Sequence, residues 1–495
     1  MTSDVDVLLI NPPRPFILPT PAPFPPLGLA YVGAALEDAG YKVSALDCHH
    51  ELVGFDELPE RIGGFNPRIV GLTGLSVTRF EMFRAAEIVR EVHPHCVLVG
   101  GGVHVSFTAR ETVERTPFDI VCRFEGERTM TEVAGVVKSS ANRRKALEGM
   151  NRVRGVTYRT PDGAVHENPE RELVQDLDLL PLPARHLFPM GKYFKWAEQQ
   201  NRMMTNIVTS RGCPFRCPFC SASALWGHTY RLRSPDNVGK ELQQLKDDYG
   251  IASVEISDST FTVNHPHVLG VVEEMKKAGF QWDCYVQVET LTPELLTLMQ
   301  KGGCRRIKYG VEAGNDEIRK RAGKNFTTKR LLEVDGWAKR AGLEREAFFM
   351  FGLPRESMET VQETYKLAAQ MMNDGVELSV APYTCIYPGT DLEKFAIQEG
   401  ILPPNFSWTQ PVDRFSGLSA YLAEVNGPFL FGQPIVVSSK LDKRALESIS
   451  FFMEAMLEEQ RERMAERRRL PKSELYRIRN EIPKPQQRRI RKDRN

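Results

Sequence analysis

The sequence predicts an α/β chain with a doubly wound, Rossmann-like unit first, a partial (β/α)6 TIM-like barrel second and a mostly helical C-terminal region. Three observations predict it. At 495 residues the chain exceeds what one hydrophobic core comfortably serves. Short apolar runs alternate with helix-period segments at intervals of about 30 residues, the spacing of parallel strand–helix units. Three of the nine cysteines fall within eight residues, directly after the first strand of the second train of units.

In the first unit, 4–13 is an apolar run ending in a turn, and 27–40 has helical spacing closed by Gly40. The segments 41–47, 68–77, 96–102 and 114–127 read as further strands, with helices at 79–94 and 127–138. In such sheets ligands sit beyond the carboxyl ends of the strands. The polar and glycine residues expected there are Asn11, Ser76, Gly101, Gly102, His104, Glu125, Gly126 and Glu127. Residues 152–169 read as a hairpin around Pro161-Asp162-Gly163, and 176–189, with three prolines, as a connector.

The second train places strands at 204–210, 251–258, 282–288, 306–312, 344–353 and 376–385. The intervening helices are 234–250, 265–279, 292–302, 315–322, 329–342 and 357–375. Six repeats predict a barrel or open barrel that works at the carboxyl ends of its strands. The expected divisions are 1–140, a connecting region 141–200, a barrel over 201–390, a helical region 391–460 and a basic tail 461–495. Residues 443–460 read as an amphipathic helix that packs on the barrel.

Composition narrows the function. Lys plus Arg total 65 and Asp plus Glu 64, so no global field points to nucleic acid or an anionic membrane. No apolar run approaches the roughly 18 residues of a spanning helix, and the opening MTSDVDVLLINPP lacks a basic segment feeding an apolar one. The expectation is a cytoplasmic protein without an integral membrane segment. Nine cysteines are too few for a disulfide scaffold. Residues 461–495 hold fourteen Lys and Arg against five Asp and Glu, a solvated tail or a surface for an anionic partner.

The chemistry is carried by Cys213-Pro-Phe-Arg-Cys217-Pro-Phe-Cys220. Three thiolates in one short loop can surround a metal centre. Zinc and iron–sulfur cubanes both ordinarily take four ligands, and no fourth cysteine or histidine lies at tight spacing. A zinc site would have to borrow His228 or a distant cysteine. A three-cysteine cubane leaves one iron open to a reactant.

CxxxCxxC after the first barrel strand resembles the radical S-adenosylmethionine (SAM) enzymes, and further stretches over about 202–400 carry the same resemblance. They are RLRSPDNV (231–238), ISDSTFT (256–262), GVEAG (310–314), FGLP (351–354) and YPGT (387–390). The resemblance implies a [4Fe–4S] cluster on Cys213, Cys217 and Cys220, whose fourth iron chelates the amino and carboxylate groups of S-adenosylmethionine. It implies Phe219 near the adenine, and Ser257, Asp258, Gln287 and Glu312 around the methionine and ribose. Gln287 stands where the family usually has arginine. A one-electron donor such as flavodoxin or ferredoxin is implied as partner, together with a small-molecule substrate.

Residues 5–135 resemble the cobalamin-binding domain that precedes the barrel in the cobalamin-dependent branch. NPP (11–13), PPLGLAYVGAALEDAGYKV (25–43), GLS (74–76), GGVH (101–104) and RFEGE (123–127) carry this likeness. The implied cobalamin is base-off without histidine ligation: the position after the first strand holds NPPRPF rather than DxHxxG, and His49 follows the second strand. Phe124 departs from the usual RGEGE. The implied reaction is methylation of an unactivated carbon. Oxidative cyclisation or ring rearrangement, as in the anaerobic magnesium-protoporphyrin ester cyclases of the same branch, is the alternative, and a non-catalytic iron–sulfur or cobalamin-binding regulator is a third reading.

Overall fold

The computed structural model describes residues 3–14, 23–199, 204–381, 383–402 and 405–410, with isolated positions beyond. The amphipathic segment 443–460 lies almost entirely outside the described residues, and the basic tail wholly so. Of the 391–460 region, the described part includes one helix, Asp391–Gln398.

Seven strands form the first sheet: β1 Ser3–Asn11, β2 Val43–Asp47, β3 Phe65–Thr73, β4 Val97–Gly101, β5 Ile120–Cys122, β6 Val156–Arg159 and β7 Val165–Glu167. Their order is β2-β1-β3-β4-β5-β6-β7, with the first five parallel and the last two antiparallel. The face each side chain takes follows from sequence period. Val7 and Leu9 face helices Leu27–Asp38 and Gly126–Ser139, while Leu8 and Ile10 face helices Leu58–Gly63 and Arg79–Val92. Both faces are therefore apolar, and polar function is left to the strand ends. The order 2-1-3-4-5 puts a topological switch between β1 and β3.

Two expectations change here. The run 114–127 is not one strand: helix Ala109–Arg115 takes its start, and only Ile120–Cys122 pairs. The hairpin 152–169 is an extension of the same sheet, because β6 finds the open edge of β5. The connector is likewise integrated, with Ala184 N–H donating to Ala30 O at 3.0 Å and Phe188 and Tyr193 buried in the first core.

The second sheet contains β8 Thr205–Ile207, β11 Ser253–Ile256, β12 Gln281–Val286, β13 Cys304–Glu312, β14 Glu344–Met350 and β15 Glu377–Ala381. All six run parallel in the order β15-β14-β13-β12-β11-β8, so among the described residues β8 and β15 are the edges of an open barrel. Ile256, Cys284, Ile307 and Ala347 pack outward under the helices. Intervening positions are charged: Lys308 pairs with Glu255, and Arg306 meets Glu344 at 2.6 Å and Glu377 at 2.8 Å. The expected strand 204–210 breaks after Ile207. Its remainder becomes β9 Ser210–Gly212, paired antiparallel with β10 Tyr230–Leu232.

A segment beyond the barrel clasps the first domain. Trp408 donates its indole N–H to Glu393 at 2.7 Å and its backbone N–H to Glu111 at 3.2 Å, while its carbonyl accepts from Arg79 Nε at 3.0 Å. Gly389 packs on the Phe107 ring.

The turn after β14 is closed by Glu356, whose Oε2 accepts the N–H of Gly352 at 2.7 Å and of Leu353 at 3.3 Å. Burial pushes this carboxyl up from 4.5 to about 7. The folded state then holds more protons than the unfolded one between those values, so this group's contribution falls as pH rises through that window. Glu356→Gln removes the penalty. Thermal unfolding should show the variant gaining on the order of 3 kcal/mol over wild type between pH 4 and pH 8. An unchanged difference across that range would refute the assignment.

Candidate functional site

Asp258 builds the floor of the cysteine loop. Its carboxylate accepts the Thr209 N–H, the Thr209 hydroxyl and the Ser210 hydroxyl, each at 2.6 Å, and it is buried. These bonds end β8 and turn the chain into β9, which the β10 pairing then holds. Gly212 follows at φ +99°, where a Cβ would strike Thr229 O. Cys213 is buried, and Cys217 and Cys220 are half-buried. Cys220 N–H donates to Cys217 O at 3.1 Å, Leu392 N–H donates to Pro218 O at 2.9 Å, and Gly323 lies against the Cys217 backbone. The loop is thus fixed on three sides.

The thiols sense one another. Burial raises Cys213, and it pushes Cys217 up to about 12 against the opposing ammonium of Lys324. Among the described residues, no three His, Cys, Asp or Glu side chains converge as they would on a single ion. A cubane is a broader body that takes each thiolate at a separate corner.

On the open side of the loop, Lys324 is buried. Its Nζ donates to Gln287 Oε1 at 3.2 Å and lies 3.4 Å from Glu312 Oε1. Burial raises the Glu312 carboxyl, which is carried on a backbone at φ +65°. Gln287, Glu312 and Lys324 therefore form one group beside Cys217. Lys324 was not among the residues singled out from the sequence, where it stands twelve positions after Glu312 in a stretch rich in basic residues. Ser257 N–H donates to Ile207 O at 2.8 Å. Phe219 packs between the apolar groups around Leu392 and Leu353.

A cavity of about 280 Å³ opens between the two domains. Leu9, Gly71, Thr73, Gly101, Gly102, Glu125, Gly126 and Glu127 line it from the first sheet's carboxyl ends. Tyr31 and Gly28 line it from the first helix, and Ser210, Arg211, Trp226 and Ser257 from the barrel. The two glycines of the GGVH stretch differ. A Cβ on Gly101 would meet nothing within 4 Å, whereas Gly102 has φ +98° and a Cβ there would sit 2.8 Å from Gly74 O. Gly102 serves the turn; Gly101 leaves room for a ligand.

Other expected contacts are engaged, wholly or in part, within the protein. Asp258 is saturated by its own loop. Glu125 and Glu127 are bound to barrel arginines. Asn11 and Ser76 are absent from the cavity wall, Asn11 donating to Asp47 at 2.8 Å and Ser76 meeting His104 Nδ1 at 3.0 Å. His104 is fully buried against Trp408, and burial drives its pKa well below the usual imidazole range. His49 sits on the short helix after β2, the edge strand, away from the cavity wall.

The comparisons follow these two halves. Residues 14–134 match the B12 binding domain and residues 207–368 the radical SAM superfamily. An uncharacterized methyltransferase of Pyrococcus horikoshii is 32% identical over 381 residues, covering 76% of this chain and 80% of the relative. The chain belongs to the cobalamin-dependent radical SAM enzymes. Within this family, the anaerobic magnesium-protoporphyrin IX monomethyl ester cyclase of Rubrivivax gelatinosus is 29% identical over 351 residues, covering 70% of this chain and 62% of the relative. The radical SAM methyltransferase TsrM of Kitasatospora setae, solved with cobalamin and a [4Fe–4S] cluster, shares the fold at TM-score 0.63 and 21% identity, over 80% of this chain and 75% of that one.

The residues suit these cofactors. Three thiols on a braced loop and a buried ammonium beside them fit a cluster with a carboxylate-bearing ligand. The bare Gly28 and Gly101 leave a cradle at the carboxyl end of a doubly wound sheet, the place such sheets keep for ligands. Differential unfolding should separate the adjacent glycines. Gly102→Ala is expected to cost about 1–3 kcal/mol from its left-handed backbone, and Gly101→Ala less than about 1 kcal/mol.

Proposed function

We propose that this enzyme methylates an unactivated carbon of a small-molecule substrate. The observation that carries the reading is the single cavity wall shared by the first sheet's carboxyl ends and the strand that leads into the cysteine loop. A wall that joins the first sheet's carboxyl ends to the residues just before Cys213 suits a reaction in which both cofactors act on one carbon. When bound, the cluster with S-adenosylmethionine supplies a 5′-deoxyadenosyl radical, and cobalamin supplies the methyl group.

In this reading Cys213, Cys217 and Cys220 ligate the cluster. Lys324, held by Gln287 and Glu312, presents its ammonium to the methionine carboxylate, replacing the positive charge that Gln287 lacks. Phe219 sets an apolar wall for the adenine, and Ser257 offers a hydroxyl at the cavity's edge. Gly101 and Gly126 admit the corrin or its nucleotide tail, and the apolar cavity floor excludes water from a radical. The electron is delivered by a flavodoxin or ferredoxin. All nine cysteines are unpaired, as a reducing cytoplasm would keep them. The likeness to the Rubrivivax cyclase sustains a second reading, oxidative cyclisation, which needs the radical route alone.

Anaerobic turnover with methyl-labelled S-adenosylmethionine distinguishes the two. Methylation should yield both S-adenosylhomocysteine and 5′-deoxyadenosine, with the label replacing a substrate hydrogen. Production of 5′-deoxyadenosine alone, with an unlabelled product that has lost hydrogens, would establish cyclisation instead. Alanine at any one of the three loop cysteines should abolish S-adenosylmethionine cleavage while leaving the chain soluble. A triple variant that still took up four irons per chain would overturn the ligand assignment. Gly101→Val is expected to weaken cobalamin uptake at least tenfold with the fold intact, read by absorbance titration.

A further inference from the structure

The domain junction contains a charged group that the proposed reaction leaves unused. Arg211 stands two residues before Cys213 and lines the cavity. Its Nη1 donates to Glu125 Oε1 at 2.8 Å and its Nη2 to Glu127 Oε1 at 2.6 Å. The guanidinium carbon lies 5.1 Å from the Tyr31 ring and 5.8 Å from the Trp226 ring. Tyr31 belongs to the first domain and Trp226 to the barrel, so the guanidinium is confined on its faces and along its edge.

The two carboxylates it holds differ in what remains to them. Glu125 is saturated: Arg231 Nη1 reaches its oxygens at 2.9 and 3.1 Å, and Val174 N–H adds a bond at 2.6 Å. Glu127 is 4% exposed and lines the cavity, yet its Oε2 is buried with no hydrogen-bond partner among the described residues. A buried carboxylate oxygen without a donor is costly, and its natural complement is a neutral N–H. The rim of a corrin carries carboxamides, which are such donors.

We propose that Glu127 Oε2 accepts a hydrogen bond from a corrin carboxamide, and that Arg211 relays this contact to the cysteine loop as a positioning residue. This rests on the reading that the first domain holds cobalamin. Seating the corrin fixes Glu127; Glu127 fixes the Arg211 fork; the fork fixes the strand two residues from Cys213. Arginine suits the task because its rigid planar fork engages two carboxylates at once, which a lysine ammonium on a flexible stem does not.

The test uses the full-length protein carrying its reconstituted cluster, with hydroxocobalamin as the probe. Affinity is read by absorbance titration, and the cluster is read by low-temperature EPR after reduction, with and without cobalamin. In wild type, cobalamin should alter the cluster spectrum. Glu127→Gln, which keeps the side chain's shape, should weaken binding about tenfold, the loss expected for one charge-assisted hydrogen bond. Arg211→Lys should bind both cofactors, yet its cluster spectrum should no longer respond to cobalamin, an effect that a merely structural contact would not produce. Should Arg211→Lys fail to fold, Glu127→Gln carries the test, because its cluster response must shrink as well. Wild-type affinity in Glu127→Gln would overturn the carboxamide contact, and a full response in Arg211→Lys would overturn the relay. A wild type that binds cobalamin without any spectral change would overturn this inference alone. A wild type that binds no cobalamin would overturn the cofactor reading with it.

Discussion

Two carboxylates and two arginines buried between the domains constrain the rest of the molecule. Glu125, Glu127, Arg211 and Arg231 each expose a tenth of their side chains or less. Charges so placed have given up water, and removing any one leaves its partner buried and uncompensated, a loss of about 3–5 kcal/mol. Such a group contributes little to net stability beside an apolar equivalent, but it tolerates little displacement. The first sheet and the cysteine loop are therefore held in one geometry, and the cavity between them is a fixed volume rather than a cleft between independent domains. Glu241, Arg185 and Arg233 repeat the device nearby: Glu241 is fully buried, paired with Arg185 at 2.6 Å and with Arg233, and Arg233 reaches the Tyr31 hydroxyl at 3.4 Å.

The strand–helix order was legible because both sheets bury apolar side chains at period two while their helices do so at period 3.6. Val7 to Ile10 and Val97 to Val99 are continuous apolar runs, which only a sheet covered on both faces permits. Cap chemistry marked helix starts just as clearly: Ser234, Asn264, Thr292 and Asn315 each accept a backbone N–H at the first turn. Where local signals misled, a tertiary bond had intervened. Val208 to Ser210 reads as a continuing strand, but Asp258, distant in sequence, draws the Thr209 N–H away from the ladder and holds the Thr209 and Ser210 hydroxyls. The hairpin at 156–167 carried no sign of which sheet edge it would join.

The candidate site was legible in the spacing of its three loop cysteines and only partly elsewhere. A cluster loop is local, so its spacing is written in adjacent residues. A carboxylate's partners are not. Glu125 and Glu127 drew attention as acidic residues at a sheet's carboxyl end, and that placement holds, yet arginines some eighty to a hundred positions later take most of their oxygens. Ser76 and the Nδ1 of His104 similarly bond to each other. Lys324 escaped notice because its significance is spatial: a lone lysine among several becomes distinctive only when buried beside Gln287 and Glu312.

The clasp around Trp408 completes the logic of a confined radical site. Helix Asp391–Gln398 leans its start on Pro218, inside the cysteine loop, and Phe219 packs beneath Leu392. The same helix, through Glu393, holds the Trp408 indole, and Trp408 holds Arg79 and Glu111 of the first domain. The cysteine loop is thus tied to the first sheet twice, by the arginine fork before Cys213 and by this strap after Cys220. One tie would leave a hinge, whereas ties before and after the loop in sequence restrict rotation about either. Chemistry that passes a reactive carbon between two cofactors needs that rigidity, because a radical left in an open or shifting cavity reacts with whatever reaches it.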